Sequence, residues 1–272
     1  MTGRTLCGVL GHPVAHSRSP AMQNAAFDAV GLDWLYVPLP VAPDRFREVV
    51  RALPASGYRG ANVTIPHKLA ALEVAGSASE AATGIGAANT LTFADGHVQA
   101  ENTDAAGLQR ALERPMTGLR TLVLGAGGAG RAAAWALREG GAAEVAIWNR
   151  TPERAAALAR DLGLDHAERP DRAAVDLLVN ATSVGLDPRL GADDALRGLG
   201  LADADPPAVV VDLVYRSDGA ETPVAGWARG GGAHVVDGIE VLVRQGALSF
   251  ELWTGRPAPL EAMRAAARSA RA

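Results

Sequence analysis

The chain is almost without lysine: of 26 basic residues other than histidine, 25 are arginine, and Lys68 stands alone. Cysteine is equally scarce. Cys7 has no possible partner, so no disulfide forms within the chain, and the usage suits a reducing compartment. Positive charge is not in excess. A net charge of −4 and a pI near 5.9 leave no basic footprint for nucleic acid or an anionic membrane. Long apolar runs are missing as well. The opening "MTGRTLCGVLGHP" has one apolar stretch that glycine and proline end too soon for a signal peptide or a membrane span, and a cytoplasmic location is expected. The six histidines show no metal-ligand spacing. His12 and His16 are four apart, but Pro13 between them argues for a loop, and no metal is expected. No repeat period is visible.

What remains is an ordinary globular balance, 48% hydrophobic and 21% charged over 272 residues, long enough for about two domains. Strand-like and helix-like runs alternate, the pattern of an α/β protein with parallel sheets. Strands are expected at 5–11, 33–41 and 60–65, with helices at 20–30 and 43–53. Another helix is expected to open at Pro66, since proline suits the first helical position. After the connector "PMTGLR" a second series follows. It comprises strand 121–125, helix 128–139, strand 144–148, helix 152–162, and strands 176–181 and 208–215. The chain closes with a helix over 239–253, whose Ile239, Leu242, Val243, Gly246, Phe250 and Trp253 share one face. Gly255 stops it, and a last helix begins near Pro259. The expected fold is α/β with two domains and a cleft between them.

"TLVLGAGGAGRAAAWAL" sets Gly125, Gly127 and Gly130 in G-x-G-x-x-G register between a buried strand and an amphipathic helix. Gly125 permits the tight turn, Gly127 admits a pyrophosphate to the backbone, and Gly130 lets helix and strand pack closely. An NAD site would place a carboxylate at the end of the second strand. Here that strand ends in Asn149, Arg150 and Thr151, with Arg154 one turn further on. Two guanidinium groups and a hydroxyl suit a 2′-phosphate, and cations at a helix N-terminus call for an anionic partner. The cofactor expected is NADP. Hydride transfer also needs a group that moves a proton. Lys68 in "GANVTIPHK" is the candidate, because a lysine can serve as acid and base where an arginine holds its proton. A surface lysine kept by chance is the plain alternative.

"GANVTIPHK" also resembles the G-x-N-V-T-x-P-x-K motif of the shikimate dehydrogenase family, whose lysine is catalytic. The likeness continues through "GHPVAHSRSPAMQNAAF", "GAANT", "NTDAAG", "GAGGAG", "NRTPERA", "NATSVG", "VDLVY" and "DGIEVLVRQGALSFELWTG", in the family's order over nearly the whole chain. The resemblance implies a mainly parallel α/β substrate domain over 1–103, completed by 239–272, and a Rossmann domain over 104–238. It implies Lys68 and Asp104 as the catalytic pair, with Ser17 and Ser19 holding a substrate carboxylate. Thr64, Asn89, Asp104, Tyr215 and Gln245 would contact the ring hydroxyls. Gly125, Ala126, Gly127, Gly128, Ala129, Asn149, Arg150, Thr151, Arg154, Leu213 and Gly238 would bind NADP. The implied reaction is the reversible reduction of 3-dehydroshikimate to shikimate by NADPH, in a monomer or homodimer.

Each of these residues also has a plainer reading. Ser17, Ser19, Asn102 and Asp104 could cap helices, and Tyr215 could be half-buried packing at a strand end. Ala100, Ala105, Gln23, Arg216, Ser217 and Val241 depart from the family's usual residues; they leave the catalytic class intact and bear on fine specificity. The rival enzymes are a quinate/shikimate or aminoshikimate dehydrogenase and a folate-type NADP dehydrogenase. A dinucleotide-binding regulatory module is the non-enzyme alternative.

Overall fold

The structure, a computed structural model, describes residues 4–170 and 175–270. The outer ends of the expected substrate domain, 1–3 and 271–272, lie outside the described residues. The chain divides into two compact units: Met1–Gly107 with Leu242–Ala272, and Leu108–Val241.

The first unit opens with strand β1 (Thr5–Gly11), helix α1 (Ser19–Ala29), β2 (Trp34–Pro40), α2 (Phe46–Ala52), β3 (Tyr58–Val63) and α3 (Lys68–Val74). It continues with β4 (Ser77–Ala78), α4 (Glu80–Ile85), β5 (Thr90–Ala94), β6 (His97–Glu101) and the start of α5 (Thr103–Leu112), whose residues from Leu108 on belong to the second unit. The sheet order is β2-β1-β3-β5-β6-β4. β1 lies parallel to β2 and β3, and β4 parallel to β6, while β5 runs antiparallel to both β3 and β6. The β5–β6 hairpin turns at Asp95-Gly96, both with positive φ, the two-residue turn whose twist matches a hairpin. Leu10, Val63, Leu91 and Phe93 from the strands pack with Phe46, Val50 and Leu53 in one core.

The second unit contains β7 (Arg120–Leu124), α6 (Gly128–Glu139), β8 (Glu144–Trp148), α7 (Pro152–Leu162) and β9 (Asp165–His166). Then come β10 (Leu177–Asn180), α8 (Ala192–Gly198), β11 (Val209–Asp212), α9 (Pro223–Gly230) and β12 (His234–Asp237). Its strands form one sheet in the order β12-β11-β10-β7-β8-β9, and every pair is parallel. That is the doubly wound dinucleotide order, whose switch point lies between the first and fourth strands, here β7 and β10. The runs "LLVN" and "VVVD" of β10 and β11 are buried throughout, as strands covered on both faces must be.

Two final helices, α10 (Gly238–Thr254) and α11 (Leu260–Ser269), end the described chain. α10 passes back into the first unit, where the Trp253 indole lies so close over Gly60 that any Cβ there would collide with it. The indole N–H donates to the Leu91 carbonyl at 3.1 Å. α11 packs on α1, and Arg18 donates from Nη1 to the Ala267 carbonyl at 3.0 Å.

Three sequence expectations need correction. The segment 43–53 splits into a 3-10 turn, Pro43–Arg45, followed by α2. Residues 64–67 form a turn closed by the His67 N–H on the Thr64 carbonyl at 2.9 Å, so α3 starts at Lys68 rather than at Pro66. The strand expected over 208–215 ends at Asp212, because the Val214 N–H turns back to the Asp212 carboxylate at 3.1 Å. Tyr215 therefore stands three residues beyond a strand. Among the elements, α4, α8, α9, β4, β9, β12 and the β5–β6 hairpin were not anticipated, though Asp95-Gly96 between alternating apolar runs is a direct hairpin signal.

Candidate active site

Lys68 is the first residue of α3, and its backbone is anchored on both sides. The Ala88 N–H donates to its carbonyl at 2.8 Å. Next to it, the buried His67 ring stacks on Phe46 at 4.4 Å between centroids, and its Nε2 meets the Val41 carbonyl at 2.8 Å. Burial pushes the His67 pKa below its ordinary value, against the opposing pull of that carbonyl. An apolar socket thus fixes the residue that precedes the lysine.

Asp104 comes from the first turn of α5, where a carboxylate is favoured by the free N–H groups. Asn102 holds that helix start: its Oδ1 accepts from the Asp104 N–H at 3.1 Å, and its Nδ2 donates to the Ala87 carbonyl at 2.9 Å. Lys68 Nζ donates to Asp104 Oδ2 at 2.6 Å, with the two side chains 13% and 20% exposed. The pair is thus recessed yet still open to a ligand.

The other carboxylate oxygen is held by Asn89, whose Nδ2 donates to Asp104 Oδ1 at 2.8 Å. Asn89 Nδ2 also lies 3.1 Å from Gln245 Oε1 and 2.9 Å from Thr103 Oγ1. Gln245 reaches this cluster because α10 packs against α5 at Gly107, where a Cβ would fall 2.6 Å from the Gln245 Cβ. Lys68, Asp104, Asn89 and Gln245 are therefore joined in one hydrogen-bonded set, with Thr103 as a member that the motif reading left unassigned. Gln245 is buried and bonded here rather than turned to solvent.

Thr64 begins the turn into Lys68 and sets its methyl against Gly11. Ser17 Oγ accepts from the Ser19 N–H at 3.3 Å at the start of α1, and the Ser19 hydroxyl makes no hydrogen bond among the described residues. Neither serine nor Thr64 is bonded to the Lys68 set among the described residues. Tyr215 belongs to the other unit and is half-buried. Gln23 spends its amide N–H on the Gly246 carbonyl at 2.9 Å, Ala100 and Ala105 are buried in the core, and Arg216 pairs with Asp218 at 2.5 Å.

In the second unit the glycine turn follows β7 at the switch point. Gly125 has φ +108, and a Cβ there would strike the Ala181 carbonyl oxygen at 2.8 Å. At Gly130 a Cβ would sit 2.0 Å from the Gly125 carbonyl oxygen, so helix and turn meet backbone to backbone. Gly127 differs: nothing lies within 4 Å of its would-be Cβ, which leaves the turn open on one side. It is the N-cap of α6 and makes no side-chain cap bond, so Gly128, Ala129 and the N–H groups of that turn suit an anion. Asn149 ties the end of β8 to this turn, accepting from the Ala126 N–H at 3.3 Å and donating to the Thr151 carbonyl at 3.0 Å. Arg150, Thr151 and Arg154 are exposed around the start of α7, and neither guanidinium has a side-chain partner among the described residues. Leu213 and Gly238 meet at the ends of β11 and β12, where a Gly238 Cβ would lie 2.7 Å from the Leu213 carbonyl oxygen.

Beside them lies a group that motif reading passed over. Asp212 is fully buried and accepts from Asn180 Nδ2 at 2.8 Å, from the Val214 N–H at 3.1 Å and from the Thr222 hydroxyl. Burial pushes its pKa up to about 6, and nearby Asp237 adds to the rise while the three donors oppose it. A carboxyl whose folded pKa exceeds its unfolded value near 3.8 binds its proton more tightly when native. Its contribution to stability is therefore full at low pH and is lost as pH climbs from about 4 through about 6. The total is roughly 3 kcal/mol at 1.36 kcal/mol per unit. Asp212→Asn keeps the acceptor for Asn180 and Val214, and its melting temperature should lose that fall relative to the wild type. An unchanged slope between pH 4 and 6 would show that Asp212 does not titrate there.

A doubly wound parallel sheet with an open glycine turn, together with a recessed lysine–carboxylate pair, defines a dinucleotide-dependent oxidoreductase. Comparison with known proteins makes the family specific. The shikimate dehydrogenase substrate binding domain matches residues 9–91, shikimate / quinate 5-dehydrogenase matches 108–184, and the shikimate 5′-dehydrogenase C-terminal domain matches 238–268. Shikimate dehydrogenase (NADP(+)) of Methanothermobacter thermautotrophicus is 43% identical, covering 97% of this chain and 96% of its own. The protein of that name from Anaeromyxobacter dehalogenans is 48% identical over 95% and 94%. Shikimate 5-dehydrogenase from Thermus thermophilus, solved in complex with NADP(H) and shikimate, superposes with a TM-score of 0.84 at 41% identity, over 97% and 98% of the two chains. The chain belongs to the shikimate dehydrogenase family.

Proposed function

We propose that the protein is an NADP-dependent shikimate dehydrogenase that interconverts 3-dehydroshikimate and shikimate through Lys68 and Asp104. The observation that carries the catalytic assignment is the 2.6 Å contact of Lys68 Nζ with Asp104 Oδ2 inside the Asn89–Gln245–Thr103 set. NADP(H) supplies or accepts the hydride. The open Gly125–Gly130 turn and the free cations at Arg150 and Arg154 fit its pyrophosphate and its 2′-phosphate.

In reduction, the Lys68 ammonium gives a proton to the oxygen of the former ketone, so no free alkoxide has to be solvated. In oxidation, the Lys68 amine takes the hydroxyl proton. Asp104 aims the lysine through one oxygen and is itself fixed by Asn89 through the other. Ser17 and Ser19 bind the substrate carboxylate, and Thr64, Asn89, Tyr215 and Gln245 bind ring hydroxyls. Leu213 and Gly238 close the cofactor site. The reading includes a substrate domain over 1–103 and 239–272, a cofactor domain over 104–238, a cytoplasmic location, and a monomer or homodimer. No described helix is long and apolar enough to cross a membrane.

Nicotinamide reduction followed with shikimate and with quinate, each against NADP and NAD, tests the assignment. Shikimate with NADP should give the highest kcat/KM by about tenfold or more, because quinate carries an additional ring hydroxyl and NAD lacks the 2′-phosphate that the arginines would hold. Equal rates with quinate would move the assignment to a quinate/shikimate enzyme, and no reduction in any pairing would sink the enzyme reading.

A further inference from the structure

Behind the Lys68 set lies a second tier of polar side chains sunk in the core. Asn62 is in β3, Thr90 in β5, Tyr36 in β2 and Ser249 in α10, and each is almost wholly buried. α10 presents Gln245, Ser249 and Trp253 at spacings of four, one stripe of the helix. β3 presents Gly60 and Asn62 at a spacing of two, one face of the strand. The two patterns mesh: Trp253 covers Gly60, and Ser249 sits at 2.8 Å from Asn62 Nδ2. Polar groups so buried cost stability unless fully bonded, and none of these side chains has a buried atom without a partner.

The bonds have a direction. Asn62 Nδ2 lies 3.3 Å from the Asn89 carbonyl, which can only accept, so the amide orientation is set. Tyr36 then donates its hydroxyl to Asn62 Oδ1 at 2.8 Å. The two Asn62 Nδ2 hydrogens are shared among the Asn89 carbonyl, Ser249 Oγ at 2.8 Å and Thr90 Oγ1 at 3.0 Å. Thr90 donates to Asn89 Oδ1 at 3.1 Å, beside the Thr103 N–H at 2.7 Å. With its oxygen held by the Thr90 hydroxyl and by the N–H and hydroxyl of Thr103, Asn89 has only its N–H₂ to offer Asp104. One line of donors thus runs from Tyr36 through Asn62, Thr90 and Asn89 to the carboxylate that aims Lys68.

We propose that Asn62, acting through Thr90 and Asn89, is a positioning residue for the Lys68–Asp104 pair. The proposal rests on the catalytic reading given above. Among the described residues Asn62 bonds to Tyr36, Asn89, Thr90 and Ser249, and not to Lys68 or Asp104. The tier holds the Asn89 amide in the single orientation that donates to Asp104, and so keeps the lysine on its line of proton transfer. A displacement of about 1 Å in such a group costs up to roughly a hundredfold in rate.

The test uses the intact enzyme with shikimate and NADP. Thr90→Val keeps the shape and removes the hydroxyl, whereas Thr90→Ser keeps the hydroxyl. Thr90→Val should lower kcat by about tenfold or more, with KM for NADP unchanged, and Thr90→Ser should restore most of it. Asn62→Leu should lower kcat likewise, yet add nothing when Asn89 is already alanine, since the coupling runs through that amide. If Asn62→Leu fails to fold, the Thr90 pair alone decides. The proposal is overturned if Thr90→Val keeps wild-type kcat, if Thr90→Ser falls as far as Thr90→Val, or if the Asn62 and Asn89 losses simply multiply. Should Lys68→Ala retain turnover, it is the catalytic reading that fails, so the two failures are told apart.

Discussion

Replacing Lys68 by alanine should cut turnover about a thousandfold in both directions, the middle of the range that a positioned acid or base supplies. Shikimate should still bind within a few-fold, because the other groups assigned to the substrate are untouched. The alanine leaves Asp104 with its Asn89 donor and removes only the group that carries the proton. Lys68→Arg should not recover the rate. Arginine keeps the charge and the partner but holds its proton, and its fork has a different shape. The check is kcat by nicotinamide absorbance, together with shikimate binding by calorimetry. Near wild-type turnover in Lys68→Ala would end the assignment. Loss of binding equal to the loss of rate would make the lysine a binding group instead.

That lysine was legible in the sequence because it is unique in an arginine-rich chain, and its neighbours form a quotable motif. The second unit was legible for a different reason. Parallel strands covered on both faces read as unbroken apolar runs, and α6, β8 and α7 begin and end where periodicity places them. The turn at 64–67 was misread because proline serves both a helix start and a tight turn, and only the His67–Thr64 bond distinguishes them. Asn62 and Ser249 were opaque. A polar residue inside a strand or helix reads as solvent-facing until its partner is known, and theirs lie 187 positions apart. Asp212 was hidden in the same way: the donors that satisfy it come from β10 and from the start of α9.

The cofactor preference leads to the second large effect. In the double variant Arg150→Ala with Arg154→Ala, KM for NADP should rise roughly a hundredfold, as expected for losing two charge-assisted contacts to one phosphate. KM for NAD should change less than about threefold, since a ribose hydroxyl offers those guanidinium groups little. The local structure favours this split. Both arginines stand at the positive end of α7, where cations are disfavoured by the helix, and neither has a carboxylate partner among the described residues. Arg131, by contrast, is occupied by Asp161. Asn149 joins the end of β8 to the glycine turn through bonds that the substitutions leave in place, so the rest of the dinucleotide keeps its seat. Because both arginines are solvent-exposed, salt should weaken NADP binding by the wild type and much less so by the variant. Steady-state kinetics with both cofactors at low and high salt reads all of this. An equal loss for NADP and NAD would mean that the pair shapes the loop, and would remove the 2′-phosphate from the account.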